Sequence, residues 1–251
     1  MANSPTIPRV VLALLSVLAG YVDSCTFLAL FGLFVAHVTG SFVLTGTQLV
    51  AAEPGSWVKL MAMPVFLLAC VVTTLMVGSD SRRRRPALGA VLWLETALLA
   101  GLFIALLVGT PLRGPDTPAG LCASVCGLAA MGVQSAFVRL ILSGPSTNVM
   151  TTNTTQLAIE VTKLALAWRA RRAQPADPAI AAELARARVQ LNALWPVVLG
   201  FLTGTITGAF ASAHFDFWCV SAAVALAAGL ALWATVSQAQ RPAPYLGARA
   251  A

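Results

Sequence analysis

Two acidic residues lie inside long apolar stretches of this chain. Asp23 falls about midway along residues 10–34, and Glu95 lies within residues 88–109. A charged side chain at the centre of a bilayer costs at least about 2.5–3.5 kcal/mol on insertion scales. Asp23 therefore indicates one of two structures. It is a proton carrier or cation ligand, or it is a neutral or capped carboxyl group that holds a break in a helix.

Glu95 leaves three readings open. It could be a second proton site, and with Asp23 it forms the predicted proton relay. Its side chain could instead reach toward the membrane interface. It could also pair with Arg139, which stands near the end of a later apolar stretch.

Two short segments rich in hydroxyl groups, each following an apolar stretch, form a second kind of candidate site. They are Thr39-Gly40-Ser41 and Thr151-Thr152-Asn153. Irregular backbone is not tolerated against lipid, so such segments must line protein or a water-filled cavity. If each segment begins a half-helix, its free N–H groups favour an anion or a substrate carboxylate. The alternative is that they cap helices and allow close packing.

Gln134 and Ser135 are neutral polar residues in another apolar stretch. Gln134, like Gln48 and Gln156, could hydrogen-bond a substrate, or it could form an interhelical hydrogen bond worth about 0.6 kcal/mol. The predicted substrate-binding set is Asp23, Thr39, Gly40, Ser41, Gln134, Ser135, Thr151, Thr152 and Asn153.

The composition indicates the environment in which these residues work. Of the 251 residues, 58% are hydrophobic and only 10% are charged, whereas a soluble domain carries about 25% charged residues. The chain is therefore predicted to be an all-α integral membrane protein. The net charge of +7 is concentrated in short clusters between apolar stretches, which favours a topology signal and anionic lipid contacts over nucleic acid. No nucleophile–base pair, phosphate loop or zinc motif is visible, so we expect no enzymatic activity, cofactor or metal.

Six stretches are long and apolar enough to span a bilayer, which takes about 20 residues. The predicted spans are Val10–Phe34, Trp57–Gly78, Leu88–Gly109, Ala119–Leu142, Leu191–Ala213 and Trp218–Ser237. Asp177 and Pro178 are predicted to cap and begin an amphipathic helix that leads into the fifth span along the membrane interface.

Basic residues set the predicted orientation. Arginines occur at 82–85, lysine and arginines at 163–190, and arginines again after residue 240, whereas the alternate connections hold almost none. Basic loops stay in the cytoplasm, so both chain ends are predicted to be cytoplasmic. The predicted parts are a cytoplasmic N-terminus (1–9), a three-helix repeat (10–109), a second three-helix repeat (119–237) with a basic connection at 163–190, and a disordered cytoplasmic tail (238–251).

The two halves of the chain resemble each other without gaps. Gly20 falls on Gly132, Gly32 on Gly144, and Thr39 on Thr151. Because the first and fourth spans run in opposite directions, the predicted halves form an inverted repeat whose first helices are interrupted. Inverted repeats with broken helices recur in secondary transporters.

The motif Gly20-x-x-Asp23, the later Thr39-Gly40 and the segment Gly132-x-Gln134 together resemble the YoaK-like family. The resemblance implies a six-helix protein of the bacterial inner membrane, without a settled substrate. Two positions depart from the family pattern: Ser41 follows Thr39-Gly40 where the family has Asn, and Ser135 follows Gln134 where Asn is more usual. A ligand that those amides bind in relatives would be selected differently here.

These patterns lead to two functional hypotheses. In the first, the chain is a secondary transporter or permease for a small solute, and its site lies near the midplane between the two repeats. One version of this hypothesis couples transport to protons through Asp23. In the second, it is a membrane scaffold or accessory subunit that docks partners through its basic connection. The lipid bilayer is the expected surrounding in both, and the patterns leave the oligomeric state open.

Overall fold

The computed structural model describes residues 9–51, 56–78 and 86–239. Within these ranges every regular element is a helix. Three predicted features lie outside the described residues: residues 1–8 of the N-terminal segment, the arginines at 82–85, and most of the predicted tail.

The helices follow the apolar stretches of the sequence. They are α1 (Arg9–Ala29), α2 (Val38–Ala51), α3 (Ser56–Leu60), α4 (Ala62–Gly78), α5 (Pro86–Gly109), α6 (Pro118–Phe137), α7 (Met150–Ala173), α8 (Pro178–Phe215) and α9 (Val220–Ala239). A π turn (Val138–Leu142) extends α6, and a 3₁₀ turn (Asp216–Cys219) joins α8 to α9.

Five stretches of the described chain are long and apolar enough to cross a membrane, and the last of them, Pro178–Ser237, contains α8 and most of α9. The chain is thus a multi-pass membrane protein. The predicted first span, Val10–Phe34, runs five residues past the end of α1 at Ala29, and the predicted interruption of this helix lies at Phe31 and Gly32.

Three glycines of α8 bring its backbone into contact with α1. A Cβ at Gly200 would lie 2.8 Å from the carbonyl oxygen of Ala13, and one at Gly208 would lie 2.6 Å from that of Tyr21. Between them, Gly204 faces the carbonyl oxygen of Val17. Small residues at this spacing let membrane helices approach closely, and α1 accordingly packs mainly on α8.

The long helices α4, α5, α6 and α9 pack mainly on one another. Helix α5 lies between α6 and α9, and α4 packs on α6. Helix α6 also contacts α1, so the two helices that precede a break are neighbours in the bundle.

Helices α7 and α8 form an antiparallel hairpin at 150–197. The buried residues of α7, Asn153, Glu160 and Ala167, recur every seven positions and face α8. Asp177 accepts a hydrogen bond from the Ala179 N–H at 2.7 Å, which confirms the predicted cap. The helix that Asp177 begins then runs without interruption into the predicted fifth span, because α8 is continuous over 38 residues. At 1.5 Å per residue it is about 57 Å long, more than the roughly 30 Å of bilayer hydrocarbon.

Candidate functional site

The first helix break joins α1 to α2 and is closed by one carboxylate. Phe31 and Gly32 adopt positive φ angles of 55° and 80° and end α1. The Oδ1 atom of Asp23 then accepts hydrogen bonds from the backbone N–H groups of Val35 at 2.9 Å and Ala36 at 2.7 Å. Asp23 is therefore the residue that turns the chain back against α1.

The second oxygen of Asp23 meets an imidazole. Asp23 Oδ2 lies 2.8 Å from His37 Nδ1. The carboxyl side chain is 6% exposed and the imidazole 32% exposed, so the pair joins the bundle interior to its surface. The His37 ring also packs edge-on against Phe201 of α8, with the ring centroids 5.1 Å apart.

A cleft of about 260 Å³ opens beside this pair. Its lining combines Asp23 and His37 with three aromatic rings and one hydroxyl from α8; these are Phe27, Phe34, Phe201 and Thr205. The cleft can admit a small molecule to one face of the Asp23–His37 pair. Ser24, Leu28 and Ala209 complete it, so Ser135 and Thr151 are not part of this cleft.

The predicted Thr39-Gly40-Ser41 segment forms the first turn of α2, as a half-helix start would require. Its members have different surroundings. Ser41 is buried, and its hydroxyl donates to the carbonyl oxygen of Phe34 at 3.0 Å. This hydrogen bond stabilises the break by joining it to the first turn of α2. Thr39 is exposed, and Gly40 allows the Phe34 ring to approach its backbone.

The second break follows the π turn and is held by a buried amide. Ser143 ends the helix with a φ of 50°. Gln134 Nε2 donates to the carbonyl oxygen of Leu15 in α1 and to the hydroxyl of Thr147 in the break, both at 2.8 Å. One side chain of α6 thereby connects the break to α1.

Further polar bonds continue along the second break. Thr147 donates its hydroxyl to Asn148 Oδ1 at 2.8 Å, and Asn148 Nδ2 donates to the carbonyl oxygen of Met131 at 3.3 Å. Asn153, in the first turn of α7, donates to the carbonyl oxygen of Ser146. Its predicted companions Thr151 and Thr152 are exposed.

Ser135 and Glu95 occupy different surroundings from those hydroxyl groups. Ser135 is partly buried. Glu95 is fully buried in α5, and neither of its carboxyl oxygens has a hydrogen-bond partner among the described residues. Arg139 is exposed on the π turn and makes no ion pair with Glu95, so neither the pairing nor the interfacial position considered for Glu95 is present.

The two breaks meet α1 at different heights. The first is held by Asp23, whereas the second reaches Leu15 and places Gly144 against Leu12. Seven residues separate Asp23 from Ser16, whose hydroxyl donates to the carbonyl oxygen of Val197 at 2.6 Å, and seven residues span about 10 Å of helix. The predicted site residues thus form two groups along α1, one around Asp23 and one around Gln134.

Four residues of these groups were not predicted from the sequence: Ser16, His37, Thr147 and Asn148. A usable pattern existed for two of them. The ungapped match of the halves places Val35 and Ala36, which bind Asp23, on Thr147 and Asn148. No comparable pattern marks His37, because its partner lies 14 residues earlier across a turn.

The comparisons with known proteins agree with the sequence resemblance. A family model described as "Protein of unknown function (DUF1275)", which includes the YoaK-like proteins, matches residues 11–237. No curated protein and no solved structure matches the chain. The matched residues include both breaks and almost all of α1 and α9. This chain therefore belongs to the DUF1275 family of membrane proteins.

Proposed function

We propose that the chain is a secondary transporter or permease for a small solute. The observation that carries the proposal is the pair of helix breaks, each held inside the bundle by a buried polar side chain, Asp23 for the first and Gln134 for the second. Broken helices inside a membrane bundle leave backbone and side-chain polar groups available to a substrate. The proposed substrate route runs along α1 between the two breaks.

We propose that the two breaks are related by an inverted three-plus-three repeat of six spans. Matching backbone features support this relation. Phe31 and Ser143, which stand 112 positions apart, both have φ near 50°. Helices α2 and α7 begin at Val38 and Met150, again 112 positions apart.

Reciprocal packing also supports the repeat. Gly20 of α1 faces the carbonyl oxygen of Phe201 in α8, and Gly132 of α6 lies against the carbonyl oxygen of Phe66 in α4. Gly20 corresponds to Gly132 in the ungapped match, and Phe66-Leu-Leu-Ala69 of the second span separately resembles Phe201-Leu-Thr-Gly204 of the fifth. Helix α1 of the first half therefore packs on α8 of the second half, and α6 of the second half packs on α4 of the first half. Two interlocked inverted repeats would have this arrangement.

The breaks themselves pack reciprocally. Val35 of the first break lies 3.1 Å from a Cβ placed on Gly127 of α6. Its counterpart Thr147 is joined through Gln134 to Leu15 of α1, and Leu15 is the counterpart of Gly127. The first break thus packs against α6 and the second against α1, so each break contacts the opposite half. This arrangement supports a substrate site between the repeats.

We propose that both chain ends and the turn of the α7–α8 hairpin are on the cytoplasmic side of a bacterial inner membrane. The exposed arginines near this turn support the orientation; they are Arg169, Arg171, Arg172, Arg186 and Arg188. In this orientation the first break lies toward the outer face and the second toward the inner face. The proposal assigns no catalytic step, cofactor or metal to the chain.

The test is uptake into proteoliposomes. Vesicles containing the protein are exposed to a defined mixture of amino acids, organic acids, sugars and polyamines, and their contents are measured by mass spectrometry against protein-free vesicles. We expect at least one compound class to enter in the wild type and its uptake to fall in Asp23→Asn. If no compound class enters, the transport proposal fails; if both proteins transport equally, Asp23 has no part in the mechanism.

A scaffold or accessory role is the second candidate, and two observations favour it. Both carboxyl oxygens of Asp23 already have partners, in Val35, Ala36 and His37, as a purely structural carboxylate would. The α7–α8 hairpin also presents a basic surface suited to an acidic partner. Absence of uptake, together with salt-sensitive retention of a membrane protein that is lost in Arg169→Ala/Arg172→Ala, would favour this role over transport.

A further inference from the structure

The core of the bundle consists of two apolar clusters with buried polar residues where they meet. One cluster contains Leu15, Leu92 and Phe137, and the other contains Leu18, Leu99 and Met131. The boundary thus falls at corresponding heights in α1, α5 and α6. Four fully buried polar residues lie at this boundary: Ser16, Glu95, Gln134 and Thr147, which accepts from Gln134.

Glu95 is the residue of this layer whose burial is not offset by any hydrogen bond among the described residues. Its exposed fraction is 0%, and both carboxyl oxygens lack hydrogen-bond partners among the described residues. An ionised carboxylate in such surroundings costs several kcal/mol, of the order of the effective penalty for any buried ion. A neutral carboxylic acid avoids most of that penalty, because it carries no charge and has one O–H to donate.

Gln134 supplies an acceptor that has no donor. The carbonyl oxygen of Leu15 can only accept, so the amide nitrogen of Gln134 must be the atom that points to it. The other amide atom, Oε1, is buried and has no partner in the described part of the chain. The layer therefore holds unpaired acceptors and no free donor, unless Glu95 carries a proton.

The register of α5 and α6 places these two residues at the same height. A Cβ on Gly101 would face Cys126, and one on Gly109 would face Ala119. The two helices are antiparallel, so the residue numbers of two positions at the same height add up to 227 or 228. The residue of α6 at the height of Glu95 is then 132 or 133, one or two positions before Gln134, and Gly132 itself packs against Phe66 of α4. A carboxylic O–H on Glu95 and Oε1 of Gln134 are thus a complementary donor and acceptor on adjacent helices.

We propose that Glu95 is a proton-binding site, that it is protonated in this conformation, and that Gln134 Oε1 is the acceptor that positions its O–H. In the transporter this makes the proton the coupling ion, an extension that rests on the proposed function. The binding step forms one O–H bond on the carboxylate, and release returns the proton to water. A proton fits better than a metal cation, because hard cations require about six oxygen ligands whereas an acid proton requires one acceptor.

Asp23 is a poorer candidate for the same role. Its carboxylate accepts two backbone hydrogen bonds and faces His37, so protonating it would weaken the contacts that close the first break. Glu95 can take up a proton without breaking any hydrogen bond among the described residues.

The test is the infrared spectrum of the purified protein at neutral pH, without any solute, in wild type and Glu95→Gln. We expect the substitution to remove a band of a protonated carboxylic acid and to leave the ionised carboxylate bands unchanged. Glu160→Gln is the matched control: Glu160 is also buried but accepts from Gln156 and Lys163, so it should remove ionised bands only. Loss of ionised bands in Glu95→Gln overturns the proposal.

Two additional measurements cover the other outcomes. If Glu95→Gln does not fold, reaction of the wild type with an apolar carbodiimide should modify Glu95, which mass spectrometry locates, and not Glu160; absence of modification at Glu95 then counts against the proposal. Replacing choline chloride by sodium chloride should leave the acid band intact, and its conversion to carboxylate bands would assign the site to a metal cation. These measurements need no transport, so a failed uptake screen and a failed proton site are distinguished.

Discussion

Asp23 and His37 are joined across the first helix break by a 2.8 Å contact between carboxyl Oδ2 and imidazole Nδ1. The other oxygen of the same carboxyl group holds the break closed through two backbone N–H groups. One side chain thus ends α1, directs the start of α2 and forms part of a cleft.

Removing the Asp23 side chain should destabilise the protein more than neutralising it. Asp23→Ala leaves two buried N–H groups without an acceptor, at about 1–3 kcal/mol each, whereas the amide oxygen of Asp23→Asn can still accept from them. We expect the melting temperature in detergent to decrease in the order wild type, Asn, Ala. The exposed Asp116→Ala should melt as the wild type does. Equal melting of all four proteins would show that the capping bonds do not contribute.

The α1–α8 contact should not tolerate a methyl group at its centre. A Cβ at Gly204 would lie 2.8 Å from the carbonyl carbon of Val17, and overpacking of this kind costs about 1–3 kcal/mol. Gly204→Ala should therefore lower the melting temperature. Gly229→Ala is the matched control, since nothing lies within 4 Å of its Cβ, and it should be neutral or stabilising by about 0.5–1 kcal/mol. Equal effects of the two substitutions would contradict the packing.

The second break should depend on the buried hydroxyl of Thr147. Thr147→Val keeps the side-chain shape but removes an acceptor for Gln134 and a donor to Asn148. Interhelical bonds in membranes average about 0.6 kcal/mol, so we expect a small decrease in melting temperature. Thr151→Val alters an exposed residue and should melt unchanged. A larger effect at Thr151 than at Thr147 would move the site to the hydroxyl segment predicted from sequence.

Cys25 and Cys219 should form a disulfide when an oxidant is added. Their sulfur atoms are 3.2 Å apart, which joins α1 to the turn before α9. After oxidation and cleavage between α7 and α8, the two fragments should remain linked on a non-reducing gel. Cys25→Ser should release them. Linkage that persists in Cys25→Ser would mean that other cysteines had reacted.

Opposite ends of the bundle should be labelled from opposite sides of the membrane. In a cysteine-free background, Ala176→Cys lies in the α7–α8 turn and Asp116→Cys lies between α5 and α6. The orientation inferred from the basic residues predicts that a membrane-impermeant maleimide reaches residue 116 in intact cells and residue 176 only in inverted vesicles. The reverse result would invert the proposed topology.

Much of the fold was accessible from apolar length and basic clusters, since a bilayer constrains helices strongly. Leu88–Gly109 and Ala119–Leu142 were predicted within a few residues of α5 and of α6 with its π turn. The first span was predicted too long because the chain leaves α1 at Ala29 and turns at Phe31 and Gly32, and the bonds that Asp23 accepts from Val35 and Ala36 beyond this turn are not visible in hydropathy. Residues 30–34 are themselves apolar and continue the hydropathy pattern.

The candidate site was less accessible, because composition does not show which polar side chain finds a partner. Asp23 and Gln134 were selected correctly as polar residues within apolar stretches, yet whether they bind substrate stays a prediction. His37 was given no role, since its contact with Asp23 depends on the path of the loop. Glu95 stood out as a charge, but its lack of partners required coordinates.

The glycine contacts of α8 also bear on how the bundle can rearrange. Backbone touches backbone at Gly200 and Gly208, without long side chains between the helices that could change rotamer. Helices α1 and α8 are consequently expected to translate as one rigid body. Any alternating movement would then take place at the boundary between this body and the α4–α5–α6 group, where Gln134 of α6 bonds the carbonyl oxygen of Leu15 in α1.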